Sequence, residues 1–429
     1  MLKTYEKNGK TIILDTKSGN WVRMNTVFYE TNKNSKNFHK LLEERYFKNS
    51  NVCEEKIDTI YLSVTRKCNL NCKFCSVSSN SNVDTTEELS VEEIKSKLPA
   101  LLGRQIRKIV ITGGEPLIKQ GIIDILDFVK RMAPESKIIL QTNGLLIDEQ
   151  TISYLQNYVR VIEISVENIV QNKELQNKME KIFQMIVNRN ISLSLSYVIT
   201  KENIKYLQKC LRLVEKFNTY FSYRIVEPLG KGKEILEQFD DKKAYRTALE
   251  IEIKVLNFII ENKLWNYYLV DSEKGGLLPK GTCGAYADIL AIQPNGDIYP
   301  CINITDNRYK LGNMKNDSII QLKQLLIRNE KRDRIKDYFN IEHKDMCEGC
   351  FYQYFCNGVC TAHTIGYSKC MTNYCCYVCK VRKTFLDFEM FHADKRLSVK
   401  DYITLKHKYY VDMFNQDEGH HPRFGIWQN

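Results

Sequence analysis

The chain has 429 residues, 43% of them hydrophobic and 11% aromatic, which suits a folded protein with a large core and room for two or three domains. No run of about 18 apolar residues occurs, so a helical membrane span is excluded, and the start MLKTYEKNGKTII lacks the apolar core of a secretory signal, which places the chain in the cytoplasm. The formal charge is +11, but acids are interleaved with the basic residues, as in KKAYRTALEIEIK, and no basic stripe carries aromatics. A nucleic-acid partner is therefore not expected; a solvated basic surface is the simplest reading, and an acidic peptide partner would also fit.

Residues 1–57 open with TIILDT, a turn at Ser18-Gly19-Asn20, and WVRMNTVFY, which together predict a β-hairpin. FHKLLEERYF then predicts a helix. From 58 to 263, short β-rich runs alternate with amphipathic stretches such as SVEEIKSKLPALL and IIDILDFVKRM. The strand candidates are IYLSVT (60–65), KIVITGG (108–114), KIILQTN (137–143), VIEISVE (161–167), SLSLSYVI (192–199) and FSYRIVE (221–227). Six strand–helix units in series predict an α/β fold with a parallel sheet; six falls short of a closed eight-stranded barrel, so a partial (β/α)6 barrel of TIM type is expected. Ligands of such sheets gather at the carboxyl ends of the strands. Residues 264–380 are rich in cysteine, and 381–429 form a tail whose SVKDYITLKHKYYVDMF predicts a helix.

The 15 cysteines are unevenly spread: three lie between 68 and 75 and ten between 283 and 379, leaving Cys53 and Cys210 to be read as small buried hydrophobes. In a reduced compartment such clustering points to metal rather than disulfides. Cys68, Cys72 and Cys75 directly follow the first strand. Three thiolates at this spacing can wrap one face of an iron–sulfur cluster but fall one short of the four that a fully protein-ligated 4Fe–4S cluster takes, leaving one iron open to a small chelating ligand. Zinc or chance clustering are the alternatives; zinc prefers four ligands in tetrahedral closure, and no histidine is adjacent.

This Cys-x3-Cys-x-aromatic-Cys pattern, with Phe74 as the aromatic, resembles the signature of the radical S-adenosylmethionine (SAM) superfamily. The resemblance runs through 58–263. It implies that Gly113-Gly114-Glu115-Pro116, at the end of the second strand, meets the methionine amino group of SAM. Thr142 and Asn143 end the third strand at the same site, and Ser165 and Glu167 end the fourth, where the family's Ser-x-Asp-Gly contacts the ribose. The residue types suit this: glycines allow close backbone approach, and carboxylates meet an ammonium or a hydroxyl. Two departures stand out. The fourth-strand motif reads Ser-Val-Glu-Asn, and the arginine that relatives place about a dozen residues later is missing from IVQNKELQNKM. Arg224 on the sixth strand is the candidate cation for the SAM carboxylate. The implied chemistry is one-electron cleavage of SAM to methionine and a 5′-deoxyadenosyl radical, which abstracts hydrogen from an unactivated carbon.

The later cysteines run Cys283, twelve residues, Gly296, four residues, Cys301, then Cys347-x2-Cys350-x5-Cys356-x3-Cys360, then Cys370, Cys375, Cys376 and Cys379. The pattern resembles the SPASM extension of radical SAM proteins; its CxxC-like units alone would serve zinc as well. The resemblance implies two auxiliary 4Fe–4S clusters. Cys283, Cys301 and Cys360 map to the first. Cys347, Cys350 and Cys356 map to the second, closed by one of the last group, for which Cys379 has the best spacing and Cys376 the next. Relatives that give the first auxiliary cluster a fourth ligand place it six residues after the first cysteine, where this chain has Ile289, so that cluster is expected to keep an open iron.

Proteins of this type mostly modify peptides. The expected function is maturation of a ribosomally made precursor peptide that contains cysteine, forming a thioether or another side-chain crosslink, with an electron donor such as flavodoxin or ferredoxin. The N-terminal hairpin and helix resemble part of the leader-recognition modules of such maturases; a plain cap on the barrel is the other reading. An anaerobic sulfatase-maturing type of protein oxidase is the second enzyme class, but its aspartate after the glycine-spaced cysteine is Ile302 here. A non-catalytic iron–sulfur or zinc scaffold is the third, and would need neither an open iron nor a SAM pocket.

Overall fold

The structure is a computed structural model, and it describes residues 2–16, 19–47, 57–103, 106–236, 241–273, 285, 288–327, 340–356, 358–366, 371–394 and 396–416. Its centre is a nine-stranded sheet in the order β12-β11-β10-β4-β5-β6-β7-β8-β9. Strands β4 (Thr59–Ser63), β5 (Lys108–Thr112), β6 (Lys137–Thr142), β7 (Val161–Ser165), β8 (Ser192–Ile199) and β9 (Tyr220–Ile225) pair in parallel, each with its successor in the chain. These are the six expected strands of the partial barrel. Helices Val91–Lys97, Ile122–Met132, Glu149–Leu155, Lys173–Asn188 and Leu207–Phe217 form the crossovers.

Alternation along the strands sorts the two faces. Ile60, Leu62, Ile109, Ile111, Ile138, Leu140, Ile162, Ile164, Leu193 and Leu195 are buried in one continuous core beneath the helices. The intervening positions, Tyr61, Gln141, Glu163, Ser165 and Ser196, face a cavity inside the curved sheet. The first helix begins at a capping box in which Ser90 and Glu93 satisfy each other's backbone N–H groups.

Three further strands come from the cysteine-rich region. Strand β10 (Ile289–Ile292) pairs in parallel with β4, from Ile289↔Thr59 to Ile292↔Leu62. Strands β11 (Asp297–Tyr299) and β12 (Gly312–Asn313) continue antiparallel from it. The turn between β10 and β11 places Gly296 at φ +87°, a conformation that other residues rarely adopt. The cysteine-rich region and the barrel thus share a sheet, which the sequence reading does not anticipate because these strands are only two to four residues long.

The N-terminal segment holds the expected hairpin, β2 (Lys10–Asp15) with β3 (Trp21–Asn25), and a further strand, β1 (Leu2–Lys7), extends it into a three-stranded antiparallel sheet. Strand β1 joins β2 through Asn8 and Gly9, both at positive φ, 51° and 70°, the pairing that a tight hairpin turn favours. At the second turn Gly19 and Asn20 are described, and Ser18 lies outside the described residues. The expected strand WVRMNTVFY stops at Asn25, whose side chain accepts from Val27 N and Phe28 N and starts helix Thr26–Asn32. Helix Lys36–Leu42 follows, as expected from FHKLLEERYF.

Among the described residues the core contacts of this small sheet are with the cysteine-rich region and its following helix. Tyr5, Ile12 and Leu14 pack on Phe351, Phe355, Phe385, Met390 and Phe391, between the second cysteine group and the helix Met371–Asp387. The opposite face, Ile13 with Val22 and Met24, packs on Phe38 and Leu42. Helix Met371–Asp387 crosses the expected boundary at 380 and, with Val399–Gln416, packs against helix Asp241–Glu261. Among the described residues no helix is long and apolar enough to cross a membrane.

Candidate active site

The cavity at the carboxyl ends of the strands has a volume of about 430 Å³. One wall is the loop after β4. Its ends are tied by Cys68 N to Asn80 O at 3.1 Å, and Cys68, Cys72, Phe74 and Cys75 face the cavity. The loop after β5 presses on it: Gly114 N donates to Thr65 O at 2.7 Å and Glu115 N to Lys67 O at 2.9 Å. Gly113 sits at φ +153°, and a Cβ there would meet Thr65 O at 2.4 Å; one on Gly114 would meet Lys67 O at 2.3 Å. No side chain fits between these backbones. Gly114→Ala is expected to push the cysteine loop out of place and lower stability by about 1–3 kcal/mol, the usual cost of overpacking; a thermal melt checks this. From the other side, the loop after β9 closes in, with Lys231 N donating to Cys75 O at 3.0 Å.

Each of the three sulfurs receives an N–H. Leu70 N reaches Cys68 Sγ at 3.4 Å, Asn168 Nδ2 reaches Cys72 Sγ at 3.5 Å, and Ser79 N reaches Cys75 Sγ at 3.3 Å. Burial pushes the Cys68 and Cys72 thiols above their usual range, against these donors. The Ser79 hydroxyl, in a residue only 2% exposed, has no hydrogen-bond partner among the described residues and borders the cavity.

Gly113, Gly114, Thr142, Asn143, Ser165, Glu167 and Arg224 line the same cavity, as the sequence places them. Glu115 and Pro116 do not. Glu115 is 0% exposed, and its carboxylate accepts from Leu117 N at 3.1 Å, Thr142 Oγ1 at 2.8 Å and Asn143 N at 2.8 Å. It shapes the turn after β6 rather than facing the cavity. Glu167 is fully buried, accepts from Val198 N at 2.6 Å, and is raised by that burial to about 7. Its neighbours Glu163 and Glu227 also face the cavity: burial raises Glu163 against the pull of Arg224, while His363 and Arg224 outweigh burial at Glu227 and hold it below the usual range.

Tyr61, Gln141, Glu163, Ser196, Asn168 and Glu227 line the cavity although sequence reasoning did not single them out. For four of them the signal was present: a polar residue at every second position of an otherwise apolar strand. Gln141 Nε2 donates to Glu163 Oε1 at 3.2 Å.

The opposite wall comes from the cysteine-rich region. Ile289, Cys301 and Ile302 border the cavity that also holds Cys68, Cys72 and Cys75. Cys347, Cys350, Cys356 and Cys379 lie together elsewhere, where burial and the other three thiols push Cys347 up to about 11. Cys360 stands beside His363; burial would raise the thiol, but His363 brings it below the usual value. Burial would lower His363, yet Cys360 and Glu227 raise it to about 9. Cys283 and Cys370 lie outside the described residues, as do the side chains of Cys375 and Cys376. Among the described residues no three His, Cys, Asp or Glu side chains converge on a single metal ion.

Residues 62–214 match the radical SAM superfamily, and 283–351 match SPASM, an iron–sulfur cluster-binding domain. A GTP 3′,8-cyclase of Clostridium perfringens is 26% identical over 189 residues, 42% of this chain and 58% of that protein. The antilisterial bacteriocin subtilosin biosynthesis protein AlbA of Bacillus subtilis is 23% identical over 274 residues, 59% of this chain and 57% of that protein. The chain thus spans less than two thirds of the length of either relative. The crystal structure of Streptococcus suis SuiB bound to S-adenosylmethionine aligns over 85% of this chain and 95% of that one, with a TM-score of 0.54 at 16% identity. At that identity the likeness concerns the fold.

Proposed function

Because this chain belongs to the radical SAM superfamily and carries a C-terminal SPASM domain, we propose that it is a cytoplasmic maturase of a ribosomal precursor peptide, forming a thioether or another side-chain crosslink. The observation that carries the reading is the shared cavity: Cys68, Cys72 and Cys75 form one wall, and Cys301 with Ile289 forms another. A substrate held between them lies within reach of both.

Cys68, Cys72 and Cys75 would hold a SAM-binding 4Fe–4S cluster. The fit rests on the three sulfurs, each of which accepts one N–H as a cluster thiolate does. Gly113, Gly114, Thr142, Asn143, Ser165 and Glu167 would surround SAM, with Arg224 as the cation for its carboxylate. When bound, cluster and SAM supply one-electron cleavage of the S–C5′ bond and a 5′-deoxyadenosyl radical that takes hydrogen from an unactivated carbon. The residues of the chain do the positioning. The glycine loop of 113–114 fixes the cysteine loop, Glu115 fixes the Asn143 turn, and the strands exclude water from the reacting face.

Cys347, Cys350, Cys356 and Cys379 would hold one auxiliary cluster, and Cys283, Cys301 and Cys360 the other. Ile289 cannot ligate, so the latter would keep an open iron facing the substrate, ready to receive a cysteine thiolate. In this scheme residues 58–263 make the radical, 264–380 hold the auxiliary clusters, 381–429 buttress them, and 1–57 recognise the leader of the precursor. Flavodoxin or ferredoxin would supply the electron. Ile302 faces the cavity and carries no proton acceptor, which counts against the sulfatase-maturing type.

The test is anaerobic incubation of the reconstituted chain with dithionite and SAM, alone and with a co-expressed Cys-containing candidate peptide. Formation of 5′-deoxyadenosine and loss of two hydrogens per crosslink, read by mass spectrometry, are expected. No 5′-deoxyadenosine from a fully reconstituted sample would sink the enzyme reading. Its formation without any change in peptides encoded beside the gene would sink the maturase.

A further inference from the structure

The four residues ending β7, Ser165-Val166-Glu167-Asn168, depart from the family pattern at their last position, where a glycine is expected and an asparagine stands. A glycine offers no side-chain donor there. Asn168 does: its Nδ2 lies 3.5 Å from Cys72 Sγ. The backbone that carries it is held in place on both sides. Glu167, one residue before it, accepts from Val198 N at 2.6 Å, and its backbone carbonyl accepts from Gln171 Nε2 at 2.8 Å. Ile169 N and Val170 N close the turn onto Val166 O at 3.0 and 3.1 Å.

The donors to the other two sulfurs are of a different kind. Leu70 N and Ser79 N are main-chain groups, present whatever the side chains. A second amide, Asn143, stands 3.9 Å from Cys68 Sγ but makes its short bond, 2.8 Å, to Asn69 Oδ1. Asn168 is thus a side-chain donor to the Cys72 sulfur, one that a substitution can remove.

We infer that Asn168 tunes the reduction potential of the SAM-binding cluster, by donating a hydrogen bond to the Cys72 sulfur. The inference rests on the assignment of Cys68, Cys72 and Cys75 to that cluster. Reduction transfers one electron from a low-potential donor to the cluster and adds one negative charge to an already anionic set of thiolates. An N–H donor to sulfur stabilises the more negative state and raises the potential. Asn168 is a positioning residue in this sense, since it acts through Cys72.

The experiment is a redox titration of the full, reconstituted chain followed by electron paramagnetic resonance. The signal that changes when SAM is added identifies the cluster, and the auxiliary signals serve as internal references. Two variants are compared with the parent: N168G, which restores the family residue, and N168L, which keeps the volume but carries neither donor nor charge. Both are expected to make the SAM-responsive cluster harder to reduce by about tenfold in the one-electron equilibrium, about 59 mV, with the auxiliary midpoints unmoved. A packing role predicts that N168L matches the parent, and an unmoved midpoint in N168L overturns the proposal. So does loss of the cluster from both variants, which would make Asn168 a structural support. Absence of any SAM-responsive signal in the parent refutes the cluster assignment itself, a different failure.

Discussion

Replacing Cys72 by alanine is expected to abolish 5′-deoxyadenosine formation while leaving the auxiliary iron in place. Three thiols face the cavity from one loop, and three is the minimum that holds a cluster with one open iron. Among the described residues the one other cysteine bordering the cavity is Cys301, on the opposite wall, and Cys347, Cys350, Cys356 and Cys379 form a separate group. The loss should exceed about 1,000-fold, because more than about 4 kcal/mol of barrier lowering depends on the group those thiols hold. Iron should fall by about four atoms per chain and no further. Chromatography of the anaerobic reaction and an iron assay check both halves. Retention of full iron content would mean that Cys72 ligates nothing.

Replacing Asp387 by alanine is expected to lower stability by about 3 kcal/mol and to loosen the N-terminal sheet first. Asp387 is 7% exposed. Its carboxylate accepts from Tyr352 OH at 2.7 Å and Tyr409 OH at 2.9 Å, pairs with the Lys7 ammonium, and has His392 Nε2 at 3.6 Å. One buried group therefore joins β1, the second cysteine group and the tail helix. Its removal strands two hydroxyls and a cation together. D387N keeps an acceptor for the tyrosines and should lose less. Thermal melts of the metal-loaded chain, with limited proteolysis inside residues 2–47, separate the two effects.

The same residue carries a pH signature. Burial would raise Asp387, but His392, Lys7 and Tyr352 outweigh it and hold the carboxyl well below the usual carboxylate range. A depressed folded-state value means that the stabilisation is complete above the unfolded value of about 3.9 and is lost as pH falls through the folded value. The parent should therefore lose stability more steeply on acidification below about pH 4 than D387A, which has no such proton to take up.

The barrel was legible because its evidence is local and repeated. Runs such as IVIT and VIEIS are too apolar for an exposed strand, and helical patterns separate them. The cavity was legible at its rim, since Cys68, Gly113 and Ser165 all sit at strand ends. It was less legible inside. Gln141 and Glu163 read as blemishes in apolar strands until the curvature of the sheet turns every second residue inward. Glu115 was legible as part of the motif, but not the partners of its carboxylate: burial and three donors tie it to the turn beside it. Asn25 ended a strand that composition would have continued, because one side-chain acceptor is enough to start a helix. Strand β10 was hidden by its length, and the seat of the N-terminal sheet by distance, since Tyr5 and Phe351 meet only through the tertiary fold.

The parallel pairing of β10 with β4 has a mechanical consequence. The strand that leads into Cys68 and the strand that begins at Ile289 are zipped edge to edge by main-chain hydrogen bonds. Swinging the cysteine-rich region away from the barrel would tear four residue pairs out of register. The two walls of the cavity are therefore braced like the jaws of a fixed gauge, and their spacing is set when the chain folds. Whatever enters the gap meets two walls that belong to one sheet.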